Sequence, residues 1–477
     1  MMDIRRRCLL TAALAVPGMA LLLAQKPDDP FPQPIAATEG VVRVDLREFA
    51  SLPDIAGEAA RMMLLVDEPG TRRLFVNDMR GPLYSVSYDG TAVAPYLDIN
   101  QAAWGVPVQS TGRERGFQSF ALHPQFGQRG TPGFGKLYAW LDTSNMMPAP
   151  DFVPLAGSTT PPTHDTVLLE WTAATPAAPA YDGAPPRELL RLRQPFANHN
   201  AGQLAFNTTA APGSPDFGLL YVGVADGGSG GDPLRMAQNM GSLFGKILRI
   251  DPLGNSSANK KYGIPAGNPF VRMPGALPEI YAYGVRNPQR FAWDVKTGTL
   301  FLADIGQNIV EEISVVKAGA NLGWNAWEGS FKYVSREAVE LAGPRADPAV
   351  TYPIVEWGQP DPLLQPQSAA TGVVAYRGTA IPQLANRLLF GDNPSGEVFH
   401  VSADRLPAGG QDPIRRVLFP GQGAPQTFLQ IIQAKNAEQG KRPASRADLR
   451  FGSGPDQRVF LLNKADGTIR ELARSPD

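Results

Sequence analysis

One of the four histidines stands where an imidazole could do acid–base chemistry. His199 lies between the amide side chains of Asn198 and Asn200, at the start of a predicted strand. The Ala201-Gly202 pair that follows lets the backbone come close to a ligand, because glycine carries no side chain. A neutral imidazole in such a place can act as a general base. From these residues alone, a histidine buried for structural reasons explains the pattern equally well.

Carboxylates and glycines follow two later apolar runs. Asp226-Gly227-Gly228 comes after a predicted strand, and a carboxylate beside a flexible turn suits either a residue that orients a histidine or a calcium ligand. The spacing of Asp304, Gly306, Gln307 and Glu312 suits a hard cation bound by carboxylates and backbone carbonyls. Neither stretch has the pattern of a helix-loop-helix calcium site, so spacing alone leaves both roles open.

These polar residues belong to strands that recur along the chain. Each copy is a short apolar run with an aromatic residue or leucine near its start, and each ends in Asp or Asn. The copies are about 60 to 90 residues apart, which leaves room for a four-stranded unit with long loops. Six copies occur, at residues 74–78, 137–142, 220–226, 300–304, 388–392 and 459–463.

The repeat predicts an all-β fold, a six-bladed β-propeller, because radial repetition protects strand edges and leaves a central channel. We expect the ring to close by pairing residues 42–46 with residues 468–472. The Asp and Asn residues would then gather on one face, although turn initiation alone also accounts for them. One surface helix is predicted at 426–438, with short helical turns at 308–316 and 382–386.

The composition excludes some partners. The 44 Lys and Arg residues almost cancel the 45 Asp and Glu residues, so nothing predicts electrostatic capture of nucleic acid or of an anionic membrane. The 49 glycines and 46 prolines favour many short strands over long helices. A length of 477 residues fits one large closed β domain or three small domains.

The first residues resemble a targeting segment. Arg5, Arg6 and Arg7 precede an apolar run, and small residues follow at positions suited to a signal peptidase. The run is shorter than the roughly 20 apolar residues that span a bilayer, so a membrane anchor is the weaker interpretation. We predict a signal peptide at 1–24, a Pro-rich leader at 25–40 and the propeller at 41–477, in a periplasmic or secreted protein without a stable membrane span. Cys8 lies in the signal, so the mature chain would contain no cysteine.

An ordered set of motifs identifies a family resemblance. The motifs are His-x-x-Gly-x-Leu at 199–204, Gly-x-x-Asp-Gly-Gly at 223–228, Gly-Lys-Ile-Leu-Arg-Ile at 245–250, Arg-Asn-Pro-Gln at 286–289 and Asp-x-Gly-Gln-Asn at 304–308. In this combination the chain resembles the soluble glucose and sorbosone dehydrogenases, six-bladed propellers that use pyrroloquinoline quinone (PQQ). The resemblance runs from about residue 115 to residue 469 and is densest between His199 and Trp324.

The resemblance assigns roles to individual residues. His199 matches the base that takes the proton from the sugar C1 hydroxyl as hydride passes to PQQ. Asp226 matches the carboxylate that holds this histidine. Arg286 and Asn287 match the pair that contacts the quinone oxygens, with Gln289 nearby. An arginine beside the developing negative charge of the reduced cofactor is sensible electrostatic catalysis.

The resemblance also implies calcium, a substrate and an acceptor. Gly306 and Gln307 match backbone-carbonyl ligands of a calcium ion that touches the cofactor. Glu312, with the carbonyl near Leu322, matches a second, structural calcium site. The implied substrate is an aldose or a related sugar or aldehyde, and the implied electron acceptor is a quinone or a soluble redox carrier.

The chain departs from the family where the carboxylates of PQQ are bound. The family's lysine falls in 392–396, which contains no basic residue, and Arg446 is the arginine retained near the expected pair. The aromatic cover falls near Gln365, with Trp357 some residues away. Each lost charged hydrogen bond costs about 1.5–3 kcal/mol, so cofactor binding is expected to be weaker. Three other cations are candidates to compensate: Arg377, Lys435 and Lys441.

Two other functions compete with a dehydrogenase. A propeller without catalysis could bind carbohydrate or protein, and the missing lysine favours this reading. A calcium-dependent lactonase-type hydrolase would use central carboxylates on a metal without a redox cofactor. The retention of His199, Asp226 and Arg286 favours the enzyme, because an unused site has no physical reason to keep a base, its orienting carboxylate and a cation together.

Overall fold

The computed structural model describes residues 29–154, 162–200, 202–364, 366–421 and 423–475. The predicted signal peptide at 1–24 and the start of the leader lie outside these residues, as does Gln365. Within them the chain is mostly β, with one α-helix, α1 (Phe428–Glu438), and four short 3₁₀ turns. The turns are Ala102–Trp104, Pro362–Leu364, Pro382–Leu384 and Pro455–Gln457. None of the described helices combines the length and apolar sequence needed to cross a bilayer.

The first half of the chain builds antiparallel units in which consecutive strands are hydrogen-bonded. Two strands precede them, β1 (Val42–Arg43) and β2 (Asp45–Ser51). The first unit contains β3 (Met62–Glu68), β4 (Arg73–Asp78), β5 (Pro82–Ser87) and β6 (Val93–Asp98). The second contains β7 (Phe117–Leu122), β8 (Lys136–Thr143), β9 (Asp165–Thr172) and β10 (Arg187–Arg193). The third contains β11 (Leu204–Phe206), β12 (Leu220–Val224), β13 (Lys246–Ile250) and β14 (Ile280–Tyr283).

The second half continues the pattern with one insertion. The next unit contains β15 (Pro288–Trp293), β16 (Leu300–Asp304), β17 (Val310–Val316) and, after the insertion, a strand at Val355–Gly358. The inserted sheet contains β18 (Trp327–Glu328), β19 (Phe331–Ser335) and β20 (Ala338–Glu340), which makes Val355–Gly358 strand β21. The following unit contains β22 (Ala370–Tyr376), β23 (Arg387–Asp392), β24 (Val398–Ser402) and β25 (Arg415–Leu418). The last contains β26 (Arg450–Ser453), β27 (Val459–Leu462) and β28 (Thr468–Ala473), completed by β2.

The recurring strands predicted from sequence are the second strands of these units: β4, β8, β12, β16, β23 and β27. They form strands because short runs rich in aromatic and branched apolar residues pack well on a pleated surface that is covered on both faces. In β12 all five residues are buried. The prediction of a helical turn at 308–316 is wrong, because Val310–Val316 pairs with both β16 and β21 and buries its apolar residues between them.

Apolar clusters join each unit to the next. One cluster combines β8 and β9 with β12 and β13, and further clusters join the successive units in the same way. The series is closed by a cluster in which Phe460 and Ile469 of the last unit pack against Leu65 and Val76 of the first. Burial of these faces is the main driving force for the arrangement, at roughly 25 cal/mol per Å² of apolar surface.

The two ends of the chain meet in one sheet. As predicted, β2 pairs with β28 in antiparallel fashion, with Leu46 opposite Leu472. The predicted strand starts too early, because Val42–Arg43 instead pairs in parallel with β25. A second parallel contact, between β26 and β3, continues the last unit into the first.

The predicted surface helix is confirmed in α1, which begins two residues later than expected. The Thr427 hydroxyl accepts a hydrogen bond from the Gln430 N–H at 3.4 Å, and the Gln430 side chain accepts the Thr427 N–H at 2.8 Å. This reciprocal capping fixes the start of the helix. Phe428 and Ile432 are buried against the last two units. The described part of the leader also packs on the body, where Ile35 is buried and its N–H donates to Asp361.

Candidate active site

A cavity of about 400 Å³ opens beside the first strands of several units. Seven of the predicted site residues line it: His199, Arg286, Asn287, Gln289, Gly306, Gln307 and Arg446. They come from loops that are far apart in sequence, and the fold brings them together. Asp226 lies directly behind His199, whereas Glu312 does not line the cavity.

His199 is paired with Asp226. Nδ1 of His199 lies 2.6 Å from Oδ1 of Asp226, and both side chains are buried. Because the carboxylate is an acceptor, this hydrogen bond places the ring proton on Nδ1 and leaves Nε2 with its lone pair. Asp226 also accepts the Gly228 N–H and the Trp324 indole N–H, each at 2.9 Å. Three donors therefore fix the carboxylate that orients the imidazole.

The charge state of Asp226 follows from these contacts. Burial raises the pKa of Asp226, but His199, through its charge and its hydrogen bond, and then Arg286 lower it, and the pKa lies below the usual value. The carboxylate is therefore ionised when it holds the imidazole.

The backbone at His199 is held in an uncommon conformation. Its φ is +52°, in the left-handed region that residues with a side chain rarely adopt. The His199 N–H donates to Glu114 Oε2 at 2.8 Å, and Asn198 Oδ1 accepts the Ser229 N–H at 2.9 Å. Such a conformation persists only where the surroundings enforce it, and it is concentrated at functional sites. Glu114 also lines the cavity, and sequence reasoning missed it.

The carboxylates near the ends of second strands have a shared structural task. Four of them accept a backbone N–H from the segment that leads into the first strand of the same unit, as turn and loop anchors do. The pairs are Asp78 with Arg61 (3.0 Å), Asp142 with Gly116 (3.0 Å), Asp304 with Arg286 (2.8 Å) and Asp392 with Ala369 (2.8 Å). Asp226, which follows β12, holds an imidazole instead of the corresponding backbone. Asp226 thus differs from these four carboxylates, because it orients a histidine side chain.

Arg286 is fixed beside the cavity, and its buried Nε is left without an acceptor among the described residues. Its Nη1 donates to the Ile305 carbonyl at 2.9 Å, and its guanidinium lies 5.7 Å from the centre of a Trp324 ring. Among the described residues its buried Nε has no hydrogen-bond partner. A buried guanidinium donor without an acceptor is costly, so this arginine is suited to receive a ligand oxygen. Next to it, Gln289 Nε2 donates to Asn287 Oδ1 at 2.9 Å, which orients the Asn287 amide.

Gly306 and Gln307 form a tight loop in the cavity wall. A Cβ at Gly306 would overlap the Val310 carbonyl oxygen, so the loop requires glycine there. The Gly306 N–H donates to Glu311 at 3.1 Å, and the Gln307 side chain accepts the Gly231 N–H at 2.8 Å. The side chain of Gln307 is therefore engaged in the fold, and its backbone carbonyl is the atom left to consider as a metal ligand.

Glu312 lies apart from that loop. It stands opposite Asp304 on β16 and Glu356 on β21, within a set of buried carboxylates. Burial, followed by the charges of Asp304 and Glu356, raises the pKa of Glu312 well above its usual value. Across the described residues, no three His, Cys, Asp or Glu side chains converge in an arrangement that could hold a metal ion.

Arg446 lines the cavity but is already engaged. Its guanidinium donates to Asp448 at 2.9 Å, Asn393 at 2.7 Å and Gln367 at 3.1 Å. As predicted, the 392–396 segment contributes no cation here, since Asn393 and Pro394 are its lining residues.

The prediction that one of three other cations replaces the missing lysine is wrong. None of the three lines the cavity, and each forms an ion pair with a carboxylate elsewhere. The pairs are Arg377 with Asp294 (2.5 Å), Lys435 with Glu48 (2.9 Å) and Lys441 with Asp54 (2.8 Å). The cations that do line the cavity and that sequence reasoning missed are Arg113, Arg450 and Lys464. A signal was present for Lys464, which directly follows the Asn463 that ends the last recurring strand.

The cavity thus brings together the His199–Asp226 pair, the fixed side chain of Arg286 and several further basic side chains. Residues 187–412 match the family described as Glucose / Sorbosone dehydrogenase, which confirms the resemblance predicted from the motifs. The HIPL1 protein of Arabidopsis thaliana is 28% identical over 392 residues, which cover 76% of this chain and 55% of that protein. The aldose sugar dehydrogenase YliI of Escherichia coli is 27% identical over 207 residues, 43% of this chain and 48% of that protein.

Other relatives carry a different name. The human Hedgehog-interacting protein is 29% identical over 229 residues, which cover 47% of this chain and 29% of that protein. The chain spans about half the length of the first curated relatives that it matches, 55% and 51%.

Solved structures support the fold. The apo form of the soluble aldose sugar dehydrogenase of Escherichia coli aligns with a TM-score of 0.58 at 18% identity, covering 91% of this chain and all of the other. The PQQ-bound aldose sugar dehydrogenase of Streptomyces coelicolor aligns with a TM-score of 0.55 at 20% identity, covering 90% and 96%.

Proposed function

We propose that the chain is a quinoprotein dehydrogenase that oxidises an aldose or a related sugar or aldehyde, with His199 as the base. The observation that carries the proposal is the 2.6 Å pairing of His199 with Asp226 at the wall of a cavity that Arg286 also lines. The closed series of units and the match to the dehydrogenase family support it. The units are the blades of a six-bladed β-propeller in this proposal.

The dyad accounts for proton removal. With its Nδ1 proton held by Asp226, His199 presents Nε2 to accept the proton of the substrate C1 hydroxyl. The imidazolium that forms is stabilised by the ionised carboxylate, and the Trp324 and Gly228 donors keep that carboxylate in place. The left-handed backbone at His199 fixes the ring relative to the cavity.

The cavity fits PQQ as the cofactor. Its volume of about 400 Å³ is within the range of small-ligand pockets, and the unused Nε donors of Arg286 and Arg450 call for acceptor oxygens. Arg286, Asn287 and Gln289 would hold the quinone side, and Arg446 would contribute to the other end. When bound, PQQ supplies an acceptor for the hydride from the substrate carbon.

Calcium is proposed on weaker grounds. The carbonyls of Gly306 and Gln307 would bind one ion near the cofactor, and Glu312 would belong to a second site. The carboxylates around Glu312 raise one another's pKa, and a hard cation would offset that repulsion, yet the described side chains do not converge as a ligand cage. No catalytic step is derived from calcium.

The remaining elements of the proposal concern location and electron transfer. The predicted signal peptide at 1–24 supports a periplasmic or secreted protein. The electrons taken from the substrate pass from the reduced cofactor to a quinone or a soluble redox carrier. Similarity to the Hedgehog-interacting protein favours a second candidate, a propeller that binds protein or carbohydrate without catalysis.

Reconstitution separates the two candidates. Purified protein is incubated with PQQ and calcium and assayed for aldose-dependent reduction of a redox dye. The dehydrogenase predicts turnover that His199→Ala abolishes without loss of PQQ binding. The absence of PQQ binding at micromolar concentration would overturn the dehydrogenase in favour of the binding protein.

A further inference from the structure

We propose that Arg450 and Lys464 form an anion-binding end of the cavity that takes the carboxylates of its ligand. This inference rests on the proposed function insofar as the resident ligand is PQQ. It assigns the binding of the ligand carboxylates to two residues that do not belong to the 392–396 segment and that differ from the three cations considered from sequence. The two residues are called the cationic end below.

Among the described residues neither Arg450 nor Lys464 forms an ion pair with a carboxylate, although the charge of Asp448 acts on both. Arg450 donates through Nη1 to Thr371 Oγ1 at 3.1 Å and to the Leu449 carbonyl at 2.9 Å, and its buried Nε has no partner among the described residues. Lys464 Nζ donates to the Arg113 carbonyl at 3.1 Å and lies 3.4 Å from Sδ of Met79. Both residues line the cavity.

A third cation lies behind the cationic end. Arg290 reaches from β15 to the carbonyls of Met63 (2.7 Å) and Gln118 (3.3 Å), and its buried Nε is also without a partner. Burial, and then the charge of Arg450, lower the pKa of Arg290 well below its usual value, while burial lowers the pKa of Arg450 to about 10. Burial, and then the charge of Arg450, also lower the pKa of Lys464 well below its usual value, while the charge of Asp448 raises it. An anion bound here would offset the mutual repulsion of these basic groups in a poorly solvated place.

The carboxylates close to the cationic end are already used. Asp448 holds the guanidinium of Arg446 at 2.9 Å, and Glu114 accepts the His199 N–H at 2.8 Å. Two carboxylates, Glu114 and Asp448, face five basic side chains in the cavity lining, which is therefore net positive; the basic residues are Arg113, Arg286, Arg446, Arg450 and Lys464. A guanidinium edge and an ammonium group are the donors that suit a planar carboxylate, and charge-assisted bonds of this type are about twice as strong as neutral ones.

The test uses Arg450→Gln and Lys464→Met in the full chain. PQQ binding is titrated by quenching of intrinsic fluorescence, independently of turnover. Each substitution is expected to raise the dissociation constant about tenfold to hundredfold. Arg415→Gln and Lys441→Met are matched controls, because these cations pair with Glu39 and Asp54 away from the cavity, and they should leave binding unchanged.

Thermal unfolding gives a second readout that a structural role would not produce. Without ligand, each variant should melt at the same temperature as the wild type or higher, since a repulsive cation has been removed. Citrate, a free tricarboxylate, should raise the melting temperature of the wild type more than that of either variant. Arg450→Lys and Lys464→Arg keep the charge and should retain most of the citrate effect, including where the neutral variants fold poorly.

The outcomes separate the two proposals. If citrate stabilises the wild type through these residues but PQQ does not bind, the cationic end stands and the dehydrogenase fails. If PQQ and citrate bind both neutral variants as tightly as the wild type, the cationic end is wrong whatever the fate of the dehydrogenase. Loss of melting temperature without ligand in both the neutral and the charge-conserving variants would assign Arg450 and Lys464 a structural role and overturn the proposal.

Discussion

Nδ1 of His199 lies 2.6 Å from Oδ1 of Asp226, although 27 residues separate them in the chain. The contact forms because the loop before β11 and the loop after β12 are brought side by side by the pairing of these two strands. The Asn198 side chain joins the same two loops through Ser229. Both members of the dyad thus come from the third unit, while Glu114 and Trp324 from other parts of the chain hold them in place.

Replacing the base should remove turnover and spare cofactor binding. For His199→Gln we expect kcat to fall about 10²–10⁴-fold, the usual contribution of a general base. His400→Gln is the control, because His400 is a buried histidine that does not line the cavity. Steady-state dye reduction and a PQQ titration measure the two effects. Unchanged kcat in His199→Gln would assign the proton transfer to another group.

Asp226→Asn should reduce activity by about tenfold to hundredfold, the loss of one charge-assisted hydrogen bond. An amide has one acceptor oxygen for three donors, so the Trp324 or Gly228 N–H would face an NH₂ group. Steady-state dye reduction measures the change in kcat. Full activity in Asp226→Asn would remove Asp226 from the mechanism.

The same substitution should change acid stability. The pKa of Asp226 is lower in the folded protein than its usual value, so its stabilising contribution is present above the unfolded pKa and is lost as pH falls through the folded pKa. The wild type should therefore lose melting temperature below about pH 4 more steeply than Asp226→Asn. Melting curves between pH 5 and pH 2.5 measure the difference, and parallel curves would contradict it.

The buried carboxyl group of Asp142 should lower the stability of the folded protein as the pH rises. Burial raises the pKa of Asp142 to about 7, so between about pH 4 and 7 the folded protein retains a proton that the unfolded chain releases. Stability should fall as pH rises through this range, by on the order of 2–4 kcal/mol. Asp142→Asn keeps an acceptor for Gly116 and should flatten the curve. The exposed Asp412→Asn is the control and should retain the wild-type slope.

Gly306→Ala should destabilise the loop in the cavity wall. The added Cβ would overlap the Val310 carbonyl oxygen, and such overpacking costs about 1–3 kcal/mol. Gly267→Ala is a matched control, because its Cβ would meet only the end of the Arg249 side chain at 3.5 Å. Chemical denaturation measures both. Equal stability of the two variants would show that the Gly306 loop moves freely.

The sequence predicted the recurring strands because their apolar runs are dense and end in Asp or Asn, as at Leu300–Asp304. The family resemblance, and not the spacing, implied the contact of His199 with Asp226 and placed Arg286 beside it, and the structure brings these three residues together. The sequence prediction failed at 308–316, where two adjacent glutamates, Glu311 and Glu312, are buried within β17 and hide its strand character. It also failed to identify Arg450 and Lys464, because a cation's distance from a pocket depends on how the last unit closes onto the first.

The closing sheet has a consequence for how the chain folds. Strand β2 precedes the first unit, yet it has its place in the sheet only after β28 is available, more than 400 residues later in the chain. Contacts between such distant segments form slowly, because a long loop must be closed before they contribute. The pairing of β2 with β28 is therefore a late event, so in a chain still being synthesised the third unit can be complete while the first and last units are not yet joined.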